Sequence, residues 1–405
     1  MTVSPSSGGP LTGVRVLDFT RVVAGPYCTM LLGDFGADII KIEEPEGGDE
    51  LRKLGPPFLG TESVFFLSVN RNKRSVALDL KQASALETVR ELVRSVDVVV
   101  ENFRPGVMER LGLGYEGLRR LNPKLIYCSI SAYHAKSRHG NRPGYDLIIS
   151  GASGLQSITG EPGRPPVRPG VNLVDLTAGT NAAIGILLAI IARQTTGAGQ
   201  KVDVSLMDGA YAVLGQLAAI HLNTGEVPGR RPPEDLHPQI TPYGTFKASD
   251  GKYLNVCAPN DRFWIALCEV LDRREWIEDR RFKGNAERLA HRSELIALLA
   301  ARFLEDTRDR WIERLLDRAI PAGPVYTLDE AVSDGYFEEA GMLVQTQHPS
   351  CGPIRTAGIP IRLSETPGGV RLPPPTLGEH TDEVLGSVRR SARTGRAATH
   401  PRGRA

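Results

Sequence analysis

VRVLDFTRVVAGPYCTMLLGDFGADIIKIE, residues 14–43, decides the fold. "VRVLDF" at 14–19 is a short apolar run of the kind that makes a buried strand, "GPYCTMLLGDFG" at 25–36 reads as a helix, and "ADIIKIE" at 37–43 is a second buried strand. Strand, helix and strand in so short a span form a βαβ unit, whose two strands run parallel. The alternation continues with "ASALETVRELVRS" at 83–95 as helix and with "VDVVVENF" at 96–103 and "KLIYCSIS" at 124–131 as strands. The chain therefore reads as α/β, with a parallel sheet covered by helices in a doubly wound, Rossmann-like arrangement.

Further along, "NTGEVPGRRPPEDLHPQITP" at 223–242 is dense in Pro, Gly and charge and reads as a linker. Beyond it "YGTFKASDGKYLNVCA" at 243–258 alternates around Asp250-Gly251 as a hairpin does, and helical patterns such as "NAERLAHRSELIALLAARFLE" at 285–305 follow. These make a second, smaller α+β domain. Residues 343–385 return to short strands and a Pro-rich run, too little for a domain of their own.

Composition narrows the function classes. With 405 residues, 41% of them hydrophobic and 24% charged, the chain is an ordinary globular protein of two or so domains. A net charge of +2 excludes a broad basic surface for nucleic acid or acidic membrane. The arginines between 389 and 404 sit among Gly, Ala and Thr and read as a disordered basic tail, 389–405. Cys28, Cys128, Cys257, Cys268 and Cys351 show neither CxxC spacing nor a matching His pair, so no metal site is expected and a reducing compartment fits. MTVSPSSGGP lacks the pattern of a secretory signal, and a cytoplasmic location is expected. "AAIGILLAIIA" at 182–192 falls short of the roughly 20 residues a bilayer requires and reads as a buried helix.

Ligands of open α/β sheets sit on the loops that follow the strands. In the first such loop, "TRVVAGP" at 20–26, Ala24 and Gly25 permit close backbone approach and Pro26 suits a first helical turn. This is not a GxGxxG fingerprint. The loop reads either as a tight turn without ligand or as a helix N-terminus able to hold an anion. A second anomaly is Asp175, alone between apolar runs in "RPGVNLVDLTAGTNAAIGILLAI" at 168–190, just before a small-residue helix opens. By position alone it reads as a helix N-cap.

Seven stretches, in order, carry a resemblance: the segment from "LTGVRVLDF" through "EPEGGDELR" (11–52), "NRNKRSVALDLK" (70–81), "DVVVENFRPGVMERLGLGYE" (97–116), "NPKLIYCSIS" (122–131), "RPGYDLI" (142–148), "PPVRPGVNLVDLTAG" (165–179) and "GAGQKVDVSLMDG" (197–209). Together they resemble the family III CoA-transferases, the group that includes formyl-CoA transferase, carnitine CoA-transferase and α-methylacyl-CoA racemase. "GPPFLGTESVFFLSVNRNK" and "PPPTLGEHTDEVL" are most similar to the succinate and hydroxymethylglutarate CoA-transferases.

The resemblance implies that Asp175 is a nucleophile, forming first an anhydride and then an aspartyl-CoA thioester, with coenzyme A arriving as part of the substrate and no cofactor held permanently. Val171, Leu173, Val174 and Leu176 would keep water away, and Thr177, Ala178 and Gly179 would leave space for the acyl-CoA. It implies CoA contacts from Val23, Ala24, Leu78, Lys81, Asn102, Phe103, Arg104 and Arg110, with Gly144 and Tyr145 beside the reacting centre. Glu43 offers a ribose contact only by analogy with dinucleotide folds. Arg21, Lys136 and Arg138, with Arg142, are cations available to an acceptor carboxylate.

The family's racemases carry a "GHD" motif where this chain has "GYD". Tyrosine, with an ordinary pKa of about 10, is a poor base at neutral pH, which weakens the racemase alternative. A CoA-binding relative without turnover is a further alternative, as is a thioesterase, though no water-activating base stands beside Asp175. Two departures stand out: "SAYHAKSRHGNRPGYD" at 131–146 replaces a glycine-rich loop, read as an altered acceptor pocket, a stiffened loop or surface drift, and Val23 stands where formyl-CoA transferases place glutamine. The family architecture implies an interlocked, chain-link homodimer. Its large domain would span 1–222 and 328–388, its small domain 243–327, and the linker 223–242 would thread the partner.

Overall fold

The computed structural model describes residues 8–394. Contacts divide them into two compact units: one takes the chain up to Leu155, Pro169–Ala218 and everything from Glu338 onward, the other Gln156–Arg168 and Ala219–Phe337. The expected boundaries lay at 222, 243 and 327; in the structure the chain changes unit at 218/219 and 337/338, and residues 156–168 join the second unit.

The first unit is built on six parallel strands, β1 (Arg15–Asp18), β2 (Asp38–Glu43), β3 (Lys73–Ala77), β4 (Val98–Glu101), β5 (Ile126–Ser131) and β6 (Lys201–Ser205). Their spatial order is β3-β2-β1-β4-β5-β6, the doubly wound order read from 14–43 outward. Helix α1 (Ala24–Asp34) links β1 to β2, and α2 (Ala83–Val93) links β3 to β4. On one face Leu17, Ile40, Val76 and Val99 pack against Val89, Leu92 and Val93 of α2.

The sheet is less apolar than its sequence suggests. Asp18 at the carboxyl end of β1, Lys41 within β2 and Lys73 at the amino end of β3 are fully buried. The Lys73 ammonium donates to the Pro26 carbonyl at 2.8 Å and to Asn70 at 2.9 Å, while the Asp18 carboxylate accepts from the Thr20 backbone, the Thr20 hydroxyl and the Thr29 hydroxyl. Burial would raise the Asp18 carboxyl, but Lys73 and Lys41 hold it below the ordinary carboxylate range.

The motif "NRNK" at 70–73 proves to be a clamp. The Arg71 guanidinium forks onto Asp34 at 2.9 and 2.8 Å and donates to the Ala357 carbonyl. The Asn72 amide bonds Asp34 and the Gly369 carbonyl, and its oxygen accepts from the Arg371 and Leu372 backbone. These bonds fasten the returning C-terminal segment to the first unit.

Two helices lead to the site, α3 (Asp146–Ala152) and α4 (Leu173–Thr196). Helix α4 corrects three expectations. Asp175 is not its cap but lies in its first turn, and the cap position is Asn172. The helix is not wholly buried: Ala178, Ala182, Ile186 and Ala189 are covered, whereas Ile184, Leu188 and Ile191 are exposed by 49%, 61% and 61%. It is also 24 residues long, enough by length and composition to cross a membrane, so its packing on α1, β5 and β6, and not its length, is what ties it to the sheet.

Gly179 serves the α1–α4 contact, not the space for an acyl-CoA. A Cβ there would lie 2.5 Å from the Ala24 carbonyl oxygen and 3.3 Å from the Cys28 nitrogen. Gly179→Ala must push two helices apart and is expected to destabilise the unit by about 1–3 kcal/mol. Denaturant unfolding checks this, and an unchanged midpoint would show that the helices can part freely.

The second unit holds a three-stranded antiparallel sheet of β7 (Tyr243–Lys247), β8 (Tyr253–Cys257) and β9 (Ala322–Pro324), with the expected hairpin turning at Asp250-Gly251, where Gly251 has φ +78°. Trp264, Trp276 and Trp311 with Phe246, Phe282 and Phe303 fill its core. The helical pattern at 285–305 is two helices, 285–290 and 292–303, that meet at His291. The last helix, α5 (Thr381–Thr394), carries regular structure into 389–394, which the sequence assigned to a disordered tail; 395–405 lie outside the described residues.

Candidate functional site

Strands β1 and β4 are neighbours from which the chain departs in opposite directions, so the crevice at their carboxyl ends is the topological switch point. A cleft of about 240 Å³ opens there. Arg21, Val22, Val23 and Ala24 from the loop after β1 form one wall, Asn102, Phe103, Arg104 and Pro105 after β4 another, and Ile130, Ser131 and Ala132 at the end of β5 the floor. Gly140, Arg142, Pro143, Gly144 and Tyr145 come from the loop before α3, Asp175 from α4, and Glu50 and Leu206 complete the lining.

The two principal walls are stitched together. The Asn102 side chain accepts from the Arg21 backbone N–H at 2.9 Å and donates to the Arg21 carbonyl at 2.8 Å. This is the pairing a strand would make, supplied by an amide where the strands have ended. The Arg21 guanidinium lies over the Phe103 ring at 5.0 Å.

Asp175 is buried to 9% exposure yet lines the cleft. Its helix begins without a cap from Asn172. Instead the Asp146 carboxylate, the first residue of α3 and itself buried, accepts from the Val174 N–H at 2.9 Å and the Asp175 N–H at 3.3 Å. A carboxylate on two N–H groups of a helix N-terminus satisfies orphan donors and opposes the positive end of the helix dipole. Asp146 was missed in the sequence, where it reads only as the third letter of "GYD"; its position directly before the apolar "LII" was the available sign of a helix start. Tyr145, beside it, is 61% exposed at the cleft.

Of the residues expected at the site, Asp175, Gly144, Tyr145, Val23, Ala24, Asn102, Phe103, Arg104 and Arg21 meet in this cleft. Leu78 and Lys81 line a second cleft of about 140 Å³ with Asp79, Leu80, Ile42 and Glu44, and Arg21 and Phe103 line both, so the two adjoin. Arg110, Lys136 and Arg138 line neither. Lys136 and Arg138 sit on the exposed part of the 131–146 loop, of which Ser131, Ala132, Gly140 and the segment from Arg142 to Tyr145 line the cleft. Glu43 is committed elsewhere: its oxygens bind Arg52 at 2.8 Å and Ser75 at 2.6 Å, and against the pull of burial Arg52 and Lys41 bring its carboxyl down to about 2. Of the apolar flanks of Asp175, Val174 is buried and Val171 is exposed.

Glu101, at the end of β4 next to Asn102, is buried, and burial pushes its carboxyl up to about 7 although Ser129 and the Phe103 N–H favour the ionised form. A carboxyl whose folded pKa exceeds its unfolded one makes the native state bind more protons between the two values, so stability falls as pH rises from about 4.5 to 7. Glu101→Gln is expected to flatten that decline and to raise stability at pH 8 by on the order of 2 kcal/mol. Thermal melts across pH 5–8 check it, and parallel curves for both proteins would refute it.

The sequence profile of CoA-transferase family III matches residues 11–381. The succinyl-CoA:glutarate CoA-transferase of Mus musculus is 41% identical over 94% of this chain and 87% of its own length. The succinate–glutarate CoA-transferase of Agrobacterium fabrum is 36% identical over 97% and 99%. Among solved structures, a CAIB/BAIF family protein from Brucella suis superposes with a TM-score of 0.83 at 36% identity, covering 94% of this chain and all of that one. The match runs through every loop that lines the cleft and through the helix that carries Asp175, and the chain belongs to CoA-transferase family III.

Proposed function

We propose that this CoA-transferase moves CoA from a dicarboxylyl-CoA such as succinyl-CoA to a dicarboxylic acid such as glutarate, with Asp175 as the nucleophile. The observation that carries the reading is the cleft itself. A carboxylate nearly shut off from water lines one small cleft together with three arginines, Arg21, Arg104 and Arg142. Acyl-CoA and dicarboxylates both present anionic groups that forked guanidinium donors recognise. The relatives named for glutarate transfer point to the same substrates.

In this reading the Asp175 carboxylate attacks the thioester carbonyl, the C–S bond breaks, and an acyl-aspartyl anhydride and CoA thiolate result. The thiolate attacks the aspartyl carbonyl, releasing the first acid and leaving aspartyl-CoA. An acceptor carboxylate then attacks that thioester, and the thiolate returns to the acceptor carbonyl, freeing Asp175. No net proton is consumed, so the site needs no strong base; it needs water excluded while the anhydride exists. Arg104, Asn102 and Phe103 hold the CoA moiety with Val23 and Ala24, Leu78 and Lys81 take its far end in the adjoining cleft, and Arg21 and Arg142 face the free carboxylate of the acid. The alternative of α-proton transfer calls for an acid–base pair at the carbon beside the thioester, and among the described residues the cleft lining includes no histidine. The exposed apolar stripe of α4 supports the interlocked homodimer as the working assembly.

The test is to supply succinyl-CoA with glutarate, malate, mesaconate and citramalate in turn and follow acyl-CoA species by mass spectrometry. Formation of a new acyl-CoA matched by loss of succinyl-CoA is expected. Hydrolysis alone, or no change with any acceptor, would overturn the reading.

A further inference from the structure

We propose that Asp49, backed by Lys41, is a positioning residue of the transfer reaction: it fixes Val22 in a left-handed conformation and so sets the Arg21–Ala24 wall of the cleft. The proposal rests on the reading of that cleft as the acyl-CoA site. Val22 has φ +65°, a region that β-branched residues avoid because the branched side chain crowds the backbone. Such a conformation persists only where its surroundings over-determine it.

Here the surroundings do so bond by bond. The Val22 N–H donates to the Asp49 carboxylate at 3.0 Å, the Thr20 carbonyl accepts from the Lys41 ammonium at 2.7 Å, and Asn102 holds both backbone groups of Arg21. Asp49 and Lys41 are paired at 2.9 Å with both side chains out of water. The same Asp49 oxygen also accepts from the Leu51 N–H at 3.0 Å, and the Asp49 N–H donates to Glu43, and these bonds fix where that oxygen stands. Two ions buried in an interior are poor value as stabilisers, since a well-packed apolar pair serves as well or better. A pair that places one hydrogen bond on a strained residue in the wall of the site has a different use. On its far side the wall abuts α4 where Gly179 receives the Ala24 carbonyl, so a shift at Val22 is transmitted toward Asp175.

Asp49→Ala alone would strand the Lys41 ammonium, so the working variant is Lys41→Met/Asp49→Ala, made in the full chain with and without Val22→Gly. Amide exchange over residues 19–28 is read beside transfer kinetics with succinyl-CoA and glutarate. In the double variant exchange in that segment is expected to rise at least about tenfold while β4 and α2 keep their protection, and kcat to fall at least about tenfold with KM for succinyl-CoA within about threefold. Adding Val22→Gly is expected to recover about threefold or more of the lost kcat, because glycine takes this φ without strain. Unchanged exchange over 19–28, a loss confined to KM, or no recovery from Val22→Gly overturns the proposal. A wild-type chain that transfers CoA to no acceptor overturns the reading of the site and the catalytic role of Asp49 with it, and the exchange result separates that failure from a failure of the pinning.

Discussion

Asp175→Asn is expected to lose CoA transfer by at least about 10³-fold while binding of CoA stays within a few-fold of the wild-type chain. The substitution is nearly isosteric, and the bonds that hold the first turn of α4 run from backbone N–H groups to Asp146, so the fold has no reason to change. What disappears is the anionic oxygen that attacks the thioester in the proposed route. In that route burial to 9% exposure would serve the oxygen, since a carboxylate stripped of water is a better nucleophile and its anhydride survives longer. The decisive measurement pairs kinetics with trapping: succinyl-CoA is added alone, the mixture is quenched with hydroxylamine or borohydride, and peptides are weighed. A modified Asp175 in the wild type and none in Asp175→Asn supports the covalent route. A variant that keeps even a tenth of the transfer rate refutes it, and exchange of the α-hydrogen for deuterium without modification would favour the racemase chemistry instead.

The sheet was legible because strand signals are local. The apolar runs at 14–19, 37–43, 96–103 and 124–131 each contain one strand, shortened by a residue or more at the ends, and the βαβ order follows from their alternation. What ran against the pattern was charge. Asp18 and Lys41 lie within runs read as apolar, and nothing in the one-dimensional spacing shows that Asp18 pairs with Lys73, two strands away, and Lys41 with Asp49 in the segment after β2. Partners brought in by the fold set their meaning, as with Asp34, Arg71 and Asn72, whose clamp on residues 356–372 is invisible until the chain has folded back. Asp175 drew notice as an isolated charge, but its place within the helix depended on a cap from Asp146, and a cap donated by another segment leaves no signature beside the helix it caps. Lys136 and Arg138 are absent from the cleft lining for a simpler reason: they stand on the exposed part of the loop, before Gly140, where the chain re-enters the lining.

Asp146→Ala is expected to lower kcat by about 10²-fold, the second largest effect among these substitutions, although Asp146 itself touches no reacting atom in the proposed route. The argument is geometric. Helix α4 begins at Leu173 with no side-chain cap from Asn172, and the Val174 and Asp175 N–H groups are held by one Asp146 oxygen. Loss of a helix cap costs about 0.5–2 kcal/mol, too little to unfold the unit but enough to let the first turn fray. The residue freed by fraying is Asp175, and a misplacement of about 1 Å at a reacting group is enough for a hundredfold loss. Asp146→Asn, which keeps an acceptor oxygen and loses only the charge, is expected to retain most of the rate, and this pairing separates the positional role from an electrostatic one. Steady-state kinetics on both variants, with melting temperatures alongside, decide the matter. If Asn falls as far as Ala, the charge of Asp146 and not its hydrogen bonds acts on the site. If neither falls, the start of α4 is rigid without its cap, and Asp175 is held by the packing of Ala178 and Gly179 on α1 alone.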